Sequence, residues 1–429
     1  MVSHSDSRRQ ILSWAFYDWA NSAFATTVMA GFFPVFFSSY WSAQNSTAEN
    51  TFKVGAINSI SSLAVVFLAP VLGAIADQGS RRKKFLIFFA YMGALSTISL
   101  TVVSRGQWQV AALFYILGAI GFSGANTFYD ALLVGVSPPR ERDRVSALGF
   151  GLGYLGGGLL FALNIAMVKF PGFFGLHSPE QAIRLSFVTV GLWWILFSVP
   201  LMLWVKEPVY SRKAVSGLEA TRLGFLQLKS TFREVRSLKT VFLFLVGYWL
   251  YMDGVDTIVR MAGIWGLSIG LDPQDIVLAL LLTQFVGFPA ALFFGKIGQS
   301  IGPRPAILIC IAVYIITTVG AAFISRGRDF FVLATMIGLV QGGIQALSRS
   351  YYARIIPEDR SAEFFGFYNM LGKFAAVLGP ILMGLVALWT NSPRASIAAV
   401  ALLFLAGACF LMLVDENKGR EDALRIGRI

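Results

Sequence analysis

Apolar residues recur along this chain in about twelve runs, each long enough for the roughly 20 residues that carry an α-helix across a bilayer. They cover residues 12–40, 54–76, 85–104, 108–136, 145–168, 185–206, 240–268, 276–295, 305–324, 330–352, 362–389 and 395–414. No water reaches the hydrocarbon core, so each run must pair its own N–H and C=O groups, which a helix does internally. The predicted fold class is therefore all-α and integral to the membrane. Only 14% of the residues are charged and 56% are hydrophobic. A water-facing domain carries about 25% charged residues. The short connections predict antiparallel neighbours. The longest polar connection splits the runs six and six. This predicts a bundle over 1–206, a cytoplasmic linker over 207–238, a second six-helix bundle over 239–415 and a tail over 416–429. Within the linker, Leu223–Val235 sets Phe225, Leu226, Leu228, Phe232 and Val235 among Lys229, Arg233 and Glu234, as an interfacial amphipathic helix would. A helix that binds a partner is the rival reading there.

The basic residues fix an orientation. Arg8, Arg9, Arg81–Lys84, Arg140–Arg144, the basic residues of 206–239, Lys296, Arg304, Arg349, Arg354, Arg360 and those of the tail fall on one side. Only Lys53, Arg105, Lys169, Arg184, Arg326, Arg328 and Arg394 fall on the other, which leaves Arg260 and Lys373 for span interiors. The positive-inside rule then predicts both termini in the cytoplasm of a cell (inner) membrane, crossed by an uncleaved first span. The net charge of +12 is thus a topology signal that meets anionic lipid headgroups, and no nucleic acid is called for. Cys310 and Cys409 sit inside apolar runs, and His4 and His177 lie outside them. This pattern offers no metal spacing and no Ser/His/Asp constellation, so neither an enzyme nor a cofactor is expected.

A carboxylate inside a span costs about 2.5–3.5 kcal/mol on insertion scales, so it should face protein or a water-filled cavity. The first run carries one. Tyr17, Asp18 and Asn21 lie within one turn, and Phe24 and Thr27 continue that side. The stripe either lines a solute path or packs the helix by polar contacts. The string Phe16-Tyr17-Asp18-Trp19-Ala20-Asn21-Ser22-Ala23-Phe24 resembles the opening of the autophagy-related vacuolar effluxer family. That family is a branch of the major facilitator superfamily with many bacterial members. The resemblance extends through Ser348-Arg349-Ser350-Tyr351-Tyr352 and Glu363-Phe364-Phe365-Gly366. It implies a twelve-helix major facilitator fold, two six-helix bundles related by a pseudo-two-fold axis.

The halves echo one another, as repeat-built transporters do. Gly73–Lys84 follows the second run and Gly295–Pro305 the eighth; Gly149-Phe150 recurs as Gly366-Phe367. Gly73, Asp77, Arg81 and Arg82 match the loop signature of the superfamily, while Gln78 and Ser80 depart from it. Gly73 permits close helix approach. Asp77 with the basic cluster can form charge-assisted bonds that break and reform as a cytoplasmic gate, or serve only as a solvated topology signal. The glycines Gly151, Gly153 and Gly156 match a dinucleotide fingerprint in spacing alone. They lack the preceding strand and read as helix packing.

The seventh run carries Tyr248, Asp253, Asp256 and Arg260. The last three fall at i, i+3 and i+7, on one helical face. Asp256 and Arg260 can pair along the helix. Asp253 is then left as an acid near the bilayer middle, a proton carrier or a member of an internal ion network. Superfamily symmetry implies that Asp18 and Asp253 face one central cavity. Lys373 lies midway along the eleventh run and calls for a carboxylate or a bound anion, with Asp130 as its candidate partner. The expectation is a monomeric secondary transporter working by alternating access, coupled to protons or facilitative. The resemblance implies amino acids or similar small solutes. The aromatics favour amphipathic drugs or lipids as the alternative, and a non-transporting receptor or scaffold is the alternative from another class.

Overall fold

The computed structural model describes residues 4–77, 81–207, 238–268, 270, 272–324, 327–374 and 378–426. Among the described residues, twelve helices are long and apolar enough to cross a membrane. In order they are span 1 Ser7–Trp41, span 2 Phe52–Asp77, span 3 Arg82–Val102, span 4 Trp108–Val136, span 5 Arg142–Lys169 and span 6 Pro179–Trp204. Then come span 7 Lys239–Gly263, span 8 Asp275–Ile301, span 9 Pro303–Ala321, span 10 Arg328–Ile355, span 11 Glu358–Thr390 and span 12 Arg394–Met412. A further helix, Glu416–Ile426, follows. No strand occurs among the described residues. The proposed linker helix Leu223–Val235, together with Gln78 and Ser80, lies outside them.

Local chemistry sets several ends. Ser178 caps span 6 by accepting the Gln181 N–H at 3.2 Å, with Pro179 and Glu180 in the first turn. Ser392 caps span 12 likewise through the Ala395 N–H at 3.2 Å. Gly302, at φ 89°, turns the chain between spans 8 and 9, a conformation that needs glycine. Span 1 is wound wide over Phe24–Phe32 and Phe37–Trp41. There the Phe33 N–H reaches Val28 O, and the Ser42 N–H reaches Phe37 O at 2.8 Å, each five residues back.

Spans 1–6 pack mainly among themselves, as do spans 7–12; the halves meet through spans 5 and 8, 2 and 11, 5 and 10, and 4 and 11. Small residues make these approaches possible. A Cβ on Gly121 would lie 2.6 Å from Gly93 Cα, between spans 4 and 3. The glycine run of span 5 does the same work. A Cβ on Gly156 would meet the Trp19 ring at 2.6 Å, and one on Gly158 would meet Gln284 at 3.0 Å. These glycines thus pack span 5 against span 1 and span 8. Many large apolar side chains face outward, among them Phe67 and Trp389. Lipid is the solvent such a surface suits.

Candidate functional site

Between the halves lies a cavity of about 330 Å³, lined by polar and aromatic side chains of both. Asp18 and Asn21 come from span 1, Asn126, Tyr129 and Asp130 from span 4, and Tyr154 from span 5. The other half brings Tyr248, Gln284, Gln341, Gln345, Arg349 and Asn369.

Arg349 organises its floor. Its guanidinium donates to Asp18 Oδ2 at 3.3 Å and Asp130 Oδ1 at 3.1 Å. It also donates to Ser146 Oγ at 2.9 Å and the Ser146 carbonyl at 2.8 Å. The side chain is 2% exposed. Its planar charge lies over Phe150 at 4.2 Å, Trp14 at 4.9 Å and Tyr129 at 5.1 Å, where aromatic faces offset part of the desolvation. Tyr129 donates to Asp18 Oδ2 at 3.0 Å, and Asn369 to Asp130 Oδ2 at 3.1 Å. Two carboxylates and one guanidinium thus share the floor, with one formal negative charge in excess. Gly149 permits this assembly: a Cβ there would lie 2.7 Å from the Tyr129 hydroxyl and 2.9 Å from Asp18.

The predicted residues distribute unevenly around this centre. Asp18, Asn21, Asp130 and Tyr248 line the cavity. Asn21 donates to Asn126. Tyr17 is buried in its own bundle, where its hydroxyl accepts from Trp194 Nε1 at 3.4 Å. The pairing expected between Lys373 and Asp130 is replaced by Arg349 and Asn369, because span 10 brings the nearer cation. Lys373 instead shares the field of Asp256 and Arg260. Asp253 is turned away from the cavity lining. It accepts the Leu378 N–H at 2.9 Å, the Gly379 N–H at 2.8 Å and the Thr257 hydroxyl at 3.3 Å. It therefore satisfies the first amides of the helix Leu378–Thr390, orphans that an unsupported helix end would leave in a low-dielectric interior. This is the placement of a structural acceptor, not of the cavity acid that symmetry suggested.

The basic face is latched across the halves. Asp77 pairs with Arg82 at 2.6 Å and accepts the Ala362 and Glu363 N–H groups at 3.2 and 2.8 Å. Arg82 donates onward to the carbonyls of Glu358 and Asp359 at 3.2 and 3.0 Å. Gly73 sits where a Cβ would lie 2.3 Å from the Ala362 carbonyl oxygen. Arg81 is exposed, and its backbone N–H bonds Ala76 O at 3.0 Å. The start of span 5 makes a second latch that the sequence reading missed. Asp143 pairs with Arg354 and accepts from Ser350 Oγ at 2.6 Å, and Arg142 pairs with Glu358. Just beyond span 6, Glu207 accepts the Arg82 and Lys83 N–H groups at 2.8 and 3.1 Å. Burial pushes its carboxyl above the ordinary value, against the pull of those two amides.

Arg349 is the functional candidate that sequence reasoning misplaced, assigning it to the loop charges. The available signal was its position before Ser350-Tyr351-Tyr352-Ala353, which continues the span by a turn.

Comparisons with known proteins agree with this architecture. Among solved structures, the human organic anion transporter MFSD10 (TETRAN) superposes with a TM-score of 0.76 at 14% identity, over 94% of this chain and 99% of that one. The proton:xylose symporter XylE gives 0.72 at 14% identity, over 98% of each chain. At these identities the likeness is one of fold, and the fold is that of the major facilitator superfamily. By sequence, an uncharacterized MFS-type transporter, YxiO of Bacillus subtilis (strain 168), is 37% identical over 415 residues, 96% of either chain. Autophagy-related protein 22 of Yarrowia lipolytica is 24% identical over 450 residues, 85% of this chain and 76% of its own. Residues 50–135 and 137–424 match the family described as "Vacuole effluxer Atg22 like". The chain is a multi-pass membrane transport protein of major facilitator fold, and it belongs to the Atg22-like effluxer family.

Proposed function

We propose that this chain moves small polar solutes, amino acids foremost, across the cell membrane by alternating access, with its basic face in the cytoplasm. The observation that carries the reading is the floor of the central cavity. There Asp18 and Asp130 of one half converge on Arg349 of the other. A cavity lined by both halves is exposed to one side or the other as they rock. A cation linking two carboxylates across that seam gives a solute ammonium or a proton something to compete for. The bonds of Asp77 to the Ala362 and Glu363 amides, those of Arg82 to the Glu358 and Asp359 carbonyls, and the pair Asp143–Arg354 hold the halves together on the basic face. The cavity therefore serves the opposite side in this conformation. The description of the relatives as effluxers agrees with solute movement. Energy from a gradient, or none, suffices for this cycle.

The test is flux of radiolabelled leucine in proteoliposomes, with and without a proton gradient. Saturable flux that is lost in Asp18→Asn and in Arg349→Gln supports the reading. Gradient-driven uptake makes the carrier proton-coupled, and flux blind to the gradient makes it a facilitator. Absence of leucine flux from folded, reconstituted protein would refute the amino-acid assignment. A second reading, transport of amphipathic organic solutes, draws on the aromatic wall of Phe122, Phe150 and Phe161. Competition by neutral amino acids separates the two.

A further inference from the structure

The charges that line the cavity do not balance, and the imbalance has a direction. Asp18, Asp130 and Arg349 line it; no other carboxylate or cation does among the described residues. Arg349 meets both acids through one nitrogen, Nη1, at 3.3 and 3.1 Å. Its Nε and Nη2 are committed to Ser146 at 2.9 and 2.8 Å. One guanidinium thus serves two carboxylates and has no nitrogen left over for a third. The two acids are served unequally. Asp130 is bonded at both oxygens, Oδ1 by Arg349 and Oδ2 by Asn369 at 3.1 Å. Asp18 receives Tyr129 and Arg349 at the same oxygen, Oδ2. Its Oδ1 accepts no hydrogen bond among the described residues, although the side chain is only 10% exposed. A carboxylate oxygen buried to that degree calls for a donor. Because Asp18 lines the cavity, that donor can enter with the solute.

A proton would also balance the charge, but the rest of the wall favours an organic cation. Phe122, Phe161, Tyr248 and Tyr368 line the same cavity. Aromatic ring faces attract a cation and repel an anion, and a protonated carboxyl gains nothing from them. On span 10, Gln345 and Gln341 precede Arg349 by about one and two turns, roughly 6 and 12 Å along the axis. Both line the cavity, as does Gln284 of span 8. Gln345 accepts the Tyr154 hydroxyl at 2.8 Å, whereas the side chains of Gln341 and Gln284 make no hydrogen bond among the described residues. These neutral amides can hold the polar remainder of a solute but cannot neutralise it. We infer that the cavity selects its solute by net charge and takes a protonated amine of net charge +1. Asp18 Oδ1 accepts from the ammonium, and Asp130 sets the charge preference. This rests on the transport reading above and deepens it: basic amino acids are favoured over neutral ones, and acidic ones are refused. Asp130 acts through Arg349. With both acids ionised the floor is one cation short, and a solute of charge +1 closes the count. A neutral zwitterion leaves the deficit in place, in a low-dielectric site where an uncompensated charge is costly.

Calorimetry on the purified full-length protein in detergent, near neutral pH, tests this with four probes. Lysine and pentylamine both carry +1, the first with a carboxylate and the second without. Norleucine is a zwitterion with the carbon chain of lysine, and glutamate carries −1. Lysine should bind about tenfold or more tighter than norleucine, with glutamate weakest. Binding of pentylamine beside lysine, or of lysine alone, supports the charge preference and tells a simple amine from an amino acid as its source. Asp18→Asn should weaken lysine by about tenfold or more. Asp130→Asn should bring lysine and norleucine to within about threefold of each other, and Asp130→Glu should keep them apart. A merely structural Asp130 would lower the melting temperature and every affinity alike, and an unmoved ratio of lysine to norleucine in a folded Asp130→Asn variant would overturn its role. The ranking in the unmodified protein needs no variant. Norleucine bound as tightly as lysine would overturn the charge preference. Uptake of one proton with each norleucine, read from heats in buffers of different ionisation enthalpy, would then make the proton the balancing charge and leave the transport reading standing. Pentylamine bound while lysine and norleucine are both rejected would keep the charge preference and overturn the amino-acid assignment. Failure of both lysine and pentylamine to bind would overturn the charge preference.

Discussion

Replacing Arg349 by Gln removes a cation from between two carboxylates whose side chains are each only 10% exposed. Breaking a buried pair in this way costs about 3–5 kcal/mol, because the acids are left uncompensated. The cost is not shared equally by all conformations. Arg349 belongs to the second half, whereas Asp18, Asp130 and Ser146 belong to the first. The bonds exist only while the halves meet at the basic face, so the penalty falls on that state. At 1.36 kcal/mol per decade, the equilibrium should move by roughly two to four powers of ten toward opening of that face. Spin labels placed by Arg140→Cys and Gln299→Cys would report it. Gln299 bonds the Arg140 carbonyl across the seam at 3.3 Å, so the pair starts close. The native Cys310 and Cys409 are replaced first. Double electron–electron resonance should then show the short distance giving way to a longer one in Arg349→Gln. Adding Asp18→Asn and Asp130→Asn should bring much of the short population back, since the orphaned charges are gone. Unchanged distances in a folded Arg349→Gln variant would refute the reasoning.

Gly73→Val should loosen the same face, because its Cβ would stand 2.3 Å from the Ala362 carbonyl oxygen and spans 2 and 11 must separate; the same label pair would lengthen. Gly379→Ala should lower the Tm in detergent, since its Cβ would lie 1.8 Å from Thr257 Oγ1, and Thr257→Ala should restore part of the loss. Asp253→Asn should destabilise by about 1–3 kcal/mol, because one backbone amide loses its acceptor. It should also leave the pH profile of flux unchanged; a shifted profile would make Asp253 a proton site after all. Glu207 carries a carboxyl raised by burial, so its contribution is full below the ordinary value of 4.5 and declines as pH rises through the folded value. Glu207→Gln should therefore gain in Tm relative to the unmodified protein as pH is raised from about 4 to 7.

How much of this was legible differs by kind of information. Span count and the Gly73–Asp77–Arg82 loop follow from one-dimensional patterns, since apolar length and helix-end chemistry are local. Facing is not local. Asp130 was matched to Lys373 because both are isolated charges, but which of two cations meets an acid depends on how spans 4, 10 and 11 are rotated. Arg349 was counted with the loop charges because the apolar run thins after residue 352, yet the helix continues through Ile355. Asp253 reads in the sequence as a proton carrier or a member of an ion network, because its actual partners are backbone amides, which every residue has. A hint did exist. Pro380 lacks a donor and suits the first turn of a helix, so a helix start near Gly379 needed an acceptor.

The placement of Arg349 ties the cavity to the latches through one helix. From Arg349 to Arg354 is under two turns of span 10, and from Asp143 to Ser146 is under one turn of span 5. The same two helices therefore carry the floor contact, Ser146 with Arg349, and the latch, Asp143 with Arg354. Ser350, between the two arginines, bonds Asp143 at 2.6 Å and leaves little slack in the connection. A ligand cation that takes Asp18 or Asp130 from Arg349 weakens the hold of span 10 on spans 1 and 4 at the floor and leaves the Ser146 bonds as its remaining tie there. Span 10 is a continuous helix, so a rotation there is delivered to Arg354 rather than absorbed between. Linkage then requires the converse: opening the latch weakens the competition of Arg349 for the two acids and raises their affinity for a cation. On the transport reading proposed above, solute capture and opening of the basic face are two readouts of one equilibrium, and Arg349 is the group through which each is felt by the other.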